Sequence, residues 1–172
     1  TVSGKSDVET IFAGGDNDTV DDVTITVGEG SKVHNIITNG SNNSQVKKAT
    51  IVINGGELLG YNGNAIYKEE TGGTTENLNI KLNGGTINGN VIADAKTATI
   101  SVEDEASILG DVINNSGSTG LEVADGANMT VANGDVVVDT LTANSGSTIL
   151  VGNSDSAGRL FADKATLNGA GV

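Results

Sequence analysis

Cysteine, proline and tryptophan are absent from the 172-residue chain, and its aromatic residues are limited to two Phe and two Tyr. Without cysteine the chain cannot form disulfide frameworks, thiolate zinc sites or cysteine nucleophiles. A core without large rings needs many thin layers of Val, Ile, Leu and Ala. Solenoids build such layers, because each coil buries its apolar face against the next coil.

Basic residues and long apolar runs are also scarce. Nine Lys and Arg stand against 22 Asp and Glu, which gives a formal net charge of −13, and only Lys47 and Lys48 are adjacent. Nucleic acids and anionic membranes bind clustered Lys or Arg, so neither is expected as a partner. No apolar run approaches the ~20 residues that span a bilayer, so we expect no membrane insertion by this segment.

A repeated strand pattern organises the first two thirds of the chain. Its strands begin 27, 29 and 20 residues apart, at residues 23–27, 50–53, 79–82 and 99–102. Within each strand apolar and polar residues alternate, which marks a strand with one buried face. The residues that start each buried face are Ile25, Ile51, Ile80 and Ile100.

A second apolar pair follows each strand, and the extra residues of the longer repeats come after that pair. The pairs are 36–37, 66–67, 91–92 and 112–113, with 11–12 one coil earlier, and the inserts are 38–48 and 68–77. A solenoid tolerates insertions at one corner because its stacked strands keep their register. The pattern predicts a right-handed parallel β-helix with variable polar loops at one corner, each coil being strand, corner, strand and loop. Asn54 and Asn83 share a corner and are predicted to form a hydrogen-bonded ladder.

The predicted solenoid is a single segment that spans residues 1–172. Residues 1–120 are expected to form regular coils and residues 121–172 less regular ones, because the spacing shortens after Gly120. Residues 169–172 offer no polar cap, and uncapped solenoid ends expose strand edges that proteins avoid. We therefore expect the segment to be a fragment of a longer protein.

Four stretches share a recognisable character: residues 10–20 with the following strand 23–27 and turn 28–31, residues 83–91, residues 139–153 and residues 165–169. These stretches resemble the passenger domains of autotransporter adhesins. The resemblance implies a passenger that is exported through an outer-membrane barrel by type V secretion. It implies display on, or release from, a Gram-negative cell, with a role in adhesion, self-association or biofilm contact. Host or bacterial surface molecules are then the expected partners.

An acidic stretch at residues 14–22 has two interpretations. Asp16, Asp18 and Asp21 offer the hard oxygen ligands that calcium takes, in partial likeness to the calcium-binding nonapeptide repeats. However, Ala13 and Asp16 stand where that pattern requires glycine, and no second copy follows. A solvated turn that uses Asp and Asn as backbone mimics is favoured. No other cofactor is expected.

No catalytic set emerges from the sequence. Residues 154–158 resemble the loop around a serine-protease nucleophile, but the only imidazole, His34, lies several coils away at ~4.8 Å per coil. Polysaccharide lyases and hydrolases use β-helices, and they need clustered carboxylates or a basic residue in one groove. A carbohydrate-active enzyme fragment is therefore one alternative to a non-enzymatic adhesin, and a purely structural spacer is another.

The polar inserts are the best candidates for partner contact, because solenoid insertions often build a binding face. They are predicted to lie at the same corner of adjacent coils. Solvated, disordered loops are the competing interpretation. The residues predicted to contact a partner are Asn39, Asn42, Asn43, Lys68, Glu69 and Glu70.

Overall fold

A computed structural model describes residues 1–70, 73–152 and 154–171. Within these ranges the chain is all β, with eighteen strands and no helix, and so no helix that is long and apolar enough to cross a membrane. Thr71 and Gly72 of the predicted insert, and Asn153 and Val172 near the end of the chain, lie outside the described residues. The strands are β1 (Asp7–Phe12), β2 (Thr19–Val20), β3 (Val23–Gly28), β4 (Lys32–Ile37), β5 (Gln45–Asn54), β6 (Glu57–Leu58), β7 (Asn64–Tyr67), β8 (Thr74–Leu82), β9 (Gly85–Ile87), β10 (Asn90–Ile92), β11 (Ala95–Val102), β12 (Ala106–Ile108), β13 (Val112–Ile113), β14 (Ser118–Val123), β15 (Asn128–Val131), β16 (Asp135–Ala143), β17 (Thr148–Val151) and β18 (Arg159–Leu167).

The strands pair in parallel from one coil to the next and build a solenoid of about seven turns, which confirms the predicted parallel β-helix. The backbone register measures the length of each coil. The steps are 25 residues from Val2 to Val27, 26 to Ile53, 29 to Leu82, 20 to Val102, 21 to Val123, 20 to Ala143 and 24 to Leu167. The register therefore continues through the part of the chain after Gly120.

Each coil contributes to three faces of the solenoid. Face A contains β3, β8, β11 and β14 with the second halves of β5, β16 and β18. Face B contains the starts of β1 and β4, followed by β6, β9, β12, β15 and β17. Face C contains the ends of β1 and β4, then β7, β10 and β13, and the first halves of β16 and β18. The longer strands bend at a corner, so that their two halves belong to two neighbouring faces.

Columns of branched aliphatic side chains from all three faces fill the interior. Burying one such side chain stabilises the fold by roughly 1.5–3 kcal/mol before the entropy of ordering the chain is counted. On face A, Ile25, Ile51, Ile80 and Ile100 stack in register as predicted, and Leu121 and Leu141 continue the column. Face B supplies Val33, Leu58, Ile87, Ile108 and Val131, and face C supplies Ile36, Ile66, Val91, Val112 and Val136.

The structure corrects two details of the predicted coil. Thr50 pairs with Thr24 rather than Val23, so the first spacing is 26 residues instead of 27. Up to residue 120 the coils also have a third strand, on face B, where the pattern predicted only a corner. The strands β6, β9 and β12 are two or three residues long and bury only one or two apolar residues each, so the pattern did not distinguish them from a turn.

Replacing Ile51 by alanine tests the inward face of the coil. Ile51 is fully buried, so the substitution removes apolar contacts and leaves a cavity between neighbouring coils. We expect the free energy of unfolding to fall by about 2–5 kcal/mol in urea denaturation. Lys81→Ala, at an exposed position on the same face, serves as the control and should cost less than about 0.5 kcal/mol. Equal losses would contradict the assigned orientation of the strands.

Candidate functional site

Three consecutive coils each place a long loop at the same corner of the solenoid. The described residues of these loops are 13–18, 38–44, 68–70 and 73; they connect face C to face A, and we call them the insert corner. The strands on both sides of these loops pair in register, Phe12 with Ile37 and Ile37 with Tyr67 before them, and Thr19 with Gln45 and Gln45 with Thr74 after them. The predicted location of the inserts at a shared corner is therefore confirmed.

Hydrogen bonds join the three loops into one stack. The Asp16 carboxylate of the first loop accepts hydrogen bonds from Ser41 Oγ, at 3.2 Å, and from Asn42 Nδ2 of the second. The second loop is joined to the third where Glu69 N donates to Asn39 Oδ1 at 3.0 Å, and Thr74 N donates to the Ser44 carbonyl oxygen at 2.9 Å. These contacts give the described part of the insert corner a defined shape.

Two close backbone approaches hold the same loops together. Gly40 lies so near the first loop that a Cβ atom would overlap the Gly15 carbonyl oxygen. Gly73 lies equally close to the Ser44 carbonyl oxygen. Only glycine permits such approaches. Gly40 and Gly73 therefore serve for tight packing between the loops.

Asn39 does not fit its predicted role as a partner contact. Its side chain is fully buried, and its Oδ1 atom accepts the hydrogen bond from Glu69 N. A buried backbone N–H needs such an acceptor, and Asn39 supplies it from the preceding coil. Thr38, also buried, similarly receives a 2.9 Å hydrogen bond from Thr75 Oγ1 at its carbonyl oxygen. Asn39 is a structural residue of the loop stack.

The other predicted contact residues lie at the surface. Asn42, Asn43 and Glu70 are exposed, and Lys68 and Glu69 are half-buried. The third loop overhangs the short turn at residues 93–94 of the next coil, and this step creates a surface depression of about 370 Å³. The depression is lined by Asn64, Tyr67, Lys68, Glu69, Glu70, Ile92 and Asp94. A second depression of about 310 Å³ shares Lys68 and Asp94 with the first.

The carboxylates of the calcium hypothesis do not share a ligand site. Asp16 accepts hydrogen bonds from the second loop, Asp18 accepts one from Thr19 N at 2.7 Å, and Asp21 is paired with Lys47 Nζ at 2.6 Å. Calcium takes six to eight oxygen ligands. Within the described residues, no three His, Cys, Asp or Glu side chains are grouped to hold a metal ion. The positions of these side chains agree with the solvated-turn interpretation.

Lys47 and Lys48, the only adjacent basic residues, are bound to acids of the preceding coil. Lys47 pairs with Asp21 and Lys48 with Asp22, at 2.6 and 3.2 Å. The hydrogen bond from Lys47, and secondarily its positive charge, lower the pKa of Asp21, and the same contact raises the pKa of Lys47. Both pairs are exposed to solvent, so they align neighbouring coils with little gain in stability.

The structure keeps His34 away from the residues of the protease hypothesis. His34 lies beside Val33 on the second coil, and the loop at residues 154–158 follows β17. Five register steps separate Val33 from Val151, which is about 24 Å at ~4.8 Å per step. His34 Nε2 instead lies 3.0 Å from Asp7 Oδ1 on the neighbouring coil. A triad built from these residues is ruled out by this separation.

A ladder of polar side chains runs along the corner between faces B and C, and the sequence reasoning missed it. Asn90 Oδ1 accepts a hydrogen bond from Asp111 N at 3.0 Å, and Asp111 Oδ1 accepts one from Asp135 N at 2.8 Å. Asp135 then binds the Arg159 guanidinium through two 2.7 Å hydrogen bonds. The ladder arises because polar side chains at the same corner of successive coils lie next to each other, which was also the basis of the prediction for Asn54 and Asn83. The signal was an Asn or Asp just before the inward apolar residue of three consecutive face C strands, namely Asn90, Asp111 and Asp135.

A column of outward-facing apolar side chains on face C was also missed. In each apolar pair the first residue points inward, so the second must point outward. Together these second residues form the outer apolar column: Phe12, Ile37, Tyr67, Ile92, Ile113, Val137 and Phe161. Ile37 is covered and Tyr67 and Ile92 are half-buried, whereas Ile113, Val137 and Phe161 are 36, 47 and 49% exposed.

Comparisons of the chain with protein families, with curated proteins and with solved structures find no match. Function is therefore inferred from the chain's own surfaces. Two of these surfaces are not explained by the packing of the core, namely the insert corner and the outer apolar column. The insert corner is the surface that the sequence pattern predicted as a binding face.

Replacing Gly40 by alanine tests the packing of the insert corner. The added methyl group would overlap the Gly15 carbonyl oxygen, so one of the two loops must shift. We expect a loss of about 1–3 kcal/mol in the free energy of unfolding by urea denaturation. Gly15→Ala is the control, because a Cβ atom there meets Asp18 Cβ at an ordinary 3.4 Å. If Gly40→Ala is as stable as Gly15→Ala, the loops are not packed as described.

Replacing Lys47 by glutamine tests the ion pair that joins Lys47 to Asp21 of the preceding coil. Because Asp21 has a lowered pKa in the folded chain, its contribution to stability is present above the ordinary pKa of about 3.9. That contribution is lost as the pH falls through the folded value. We expect Lys47→Gln to raise the pKa of Asp21 towards its ordinary value in a carboxyl NMR titration. Lys48→Gln, which removes the neighbouring pair, should leave the pKa of Asp21 unchanged.

Proposed function

We propose that the chain is a non-enzymatic binding segment of a bacterial surface protein, similar to the β-helical passengers of autotransporter adhesins. The observation that carries the proposal is the insert corner, where three consecutive coils place their longest loops side by side. Loop-to-loop hydrogen bonds give this corner a defined shape. Such a corner suits recognition of a surface molecule.

The solenoid form supports a role in contact between surfaces. Its seven turns extend for roughly 34 Å at ~4.8 Å per turn, and every coil exposes polar side chains. Weak contacts repeated along such a rod add up when several chains or several epitopes meet. Host or bacterial surface molecules are the proposed partners, and display on or release from a Gram-negative cell is the proposed setting.

A carbohydrate-active enzyme is the second candidate, and the depression beneath the third loop favours it. That depression brings Glu69, Glu70 and Asp94 to one surface beside Tyr67, and glycoside chemistry needs paired carboxylates. The openness of the surface and the shortage of aromatic platforms favour binding over bond cleavage. Only Phe12, Tyr61, Tyr67 and Phe161 are aromatic in the whole chain.

A triple substitution at the insert corner tests the proposed function. Lys68→Ala, Asn43→Ala and Glu70→Ala together remove surface side chains from the second and third loops while leaving buried Asn39 in place. Beads coated with the chain should adhere to bacterial or host cells, and we expect the triple variant to lose most of that adhesion. Lys81→Ala, Asn128→Ala and Glu103→Ala form the matched control, with the same residue types at exposed positions elsewhere on the solenoid.

Two outcomes would contradict the proposal. Equal adhesion by the wild-type chain, the triple variant and the control would favour a structural spacer. Release of sugar fragments from a polysaccharide by the wild-type chain, abolished by Glu69→Gln or Asp94→Asn, would establish the enzyme instead. Asp104→Asn, at an exposed turn between faces A and B and so at a different corner, should then leave that activity unchanged.

A further inference from the structure

The outer apolar column on face C has a second column beside it. Two residues after most of its members stands an acid or an asparagine. We call the members of this second set that reach the surface the acidic column, and it consists of Glu69, Asp94, Asn115, Asp139 and Asp163, whereas Asn39 at the equivalent position is buried. Stacking places like positions side by side, so an apolar strip and an acidic strip run together along the solenoid.

The two columns meet in an open recess on the later coils. A depression of about 150 Å³ there combines the apolar side chains of Ile113 and Val137 with the carboxylates of Asp139 and Asp163. Thr119 N donates a 2.6 Å hydrogen bond to Asp139 Oδ2, which fixes that carboxylate on the rim. An apolar floor beside oriented negative charge is thus already formed in the isolated chain.

The charges around the outer apolar column are mainly unneutralised. In the described part of the chain, none of Glu69, Asp94, Asp139 and Asp163 belongs to an ion pair. On the opposite edge of the column, Arg159 is held by Asp135 and lies 5.8 Å from the Phe161 ring centroid. The net potential along the strip is therefore negative, in keeping with the formal charge of −13.

This negative potential disfavours a second copy of the chain on the strip and favours a positively charged partner. A second copy of the chain, packed face to face, would bring its own acidic column and its 13 net negative charges against the first. Like charges placed opposite one another at an interface cost several kcal/mol in similar settings. A partner with apolar and positively charged groups gains from both columns.

We propose that face C docks a cationic amphipathic polypeptide segment along the outer apolar column. Because Ile37 is buried, the column positions that reach solvent on consecutive coils run from Tyr67 to Phe161 and span about 19 Å at ~4.8 Å per coil. An α-helix of about 13 residues covers a similar length, and the 5.4 Å helix pitch nearly matches the coil spacing. Apolar side chains on one helix face would lie on Ile113, Val137 and Phe161, while Lys or Arg on its flank would reach Asp139 and Asp163.

A designed peptide tests the proposal directly. The probe is an 18-residue peptide of Leu, Ala and Lys with the leucines on one helical face and lysines along its flank, titrated into the wild-type chain by fluorescence anisotropy. We expect saturable binding that weakens as salt rises, because exposed charges are screened. Two control peptides should bind at least about tenfold more weakly: one with the same composition in scrambled order, and one with Glu in place of Lys.

Double substitutions test whether the peptide binds along the outer apolar column and the acidic column. Ile113→Thr with Val137→Thr keeps β-branched side chains on the strand but adds hydroxyl groups to the strip, and should weaken binding about tenfold or more. Leu150→Thr is the matched control, because Leu150 is 55% exposed on face B outside the strip. Asp139→Asn with Asp163→Asn should weaken binding and flatten its salt dependence. Glu103→Gln with Glu105→Gln removes the same charge at an exposed corner as its control.

Three results would overturn the proposal. They are unchanged binding by both the threonine and the asparagine pairs, equal binding of the scrambled peptide, and a wild-type dimer in sedimentation that becomes a monomer in the threonine pair. The last result would assign the strip to a second copy of the chain. If the threonine pair does not fold, the asparagine pair still tests the proposal. We expect the asparagine pair to fold, since an asparagine Oδ1 atom can still accept the hydrogen bond from Thr119 N.

Discussion

The hydrogen bonding between successive parallel coils is the constraint on which the rest of the structure depends. It places neighbouring coils ~4.8 Å apart, so each inward side chain must lie directly over one of similar size and polarity. Ile51 over Ile25 and Ile80 over Ile51 satisfy that requirement on face A, and Leu58 and Ile87 satisfy it on face B. A chain with few aromatic residues suits this arrangement, because a large ring in one layer would require room in two neighbouring layers.

Variation in coil length is compatible with this constraint only at the corners. The coil from Ile53 to Leu82 is 29 residues long and the next is 20, yet both keep the register of face A. The longer coils hold their extra residues in loops that stack on each other, with Asn39 accepting a hydrogen bond from the following loop and Gly40 packing on the preceding one. The insert corner is therefore an extension of the solenoid's stacking into its loops.

Much of the fold was predictable because the strongest signals are local. Alternation within face A strands and the repeated apolar pairs identified the β-helix, the register of Ile25 with Ile51, and the shared corner of the inserts. The face B strands before residue 120 were missed because strands as short as β6, of two residues, carry no alternation to detect. Burial of Asn39 was missed for another reason. Whether a polar loop residue faces solvent or a neighbouring loop depends on how the loops of adjacent coils stack, which a single sequence does not reveal.

The apolar pairs show how one pattern can serve both the core and the surface. A pair such as Val112-Ile113 indicates burial, but strand geometry can bury only one of the two side chains. The second residue is shielded in the coil before the second insert, where Ile37 is 3% exposed, and open where the chain runs straight from face C into face A, as at Val137. The exposed apolar residues therefore fall mainly on the later coils, with Phe12 the exception in the first. A side chain that contributes little to the core yet stays apolar in coil after coil needs a reason outside the core, and the proposed docking of a partner on face C would supply one.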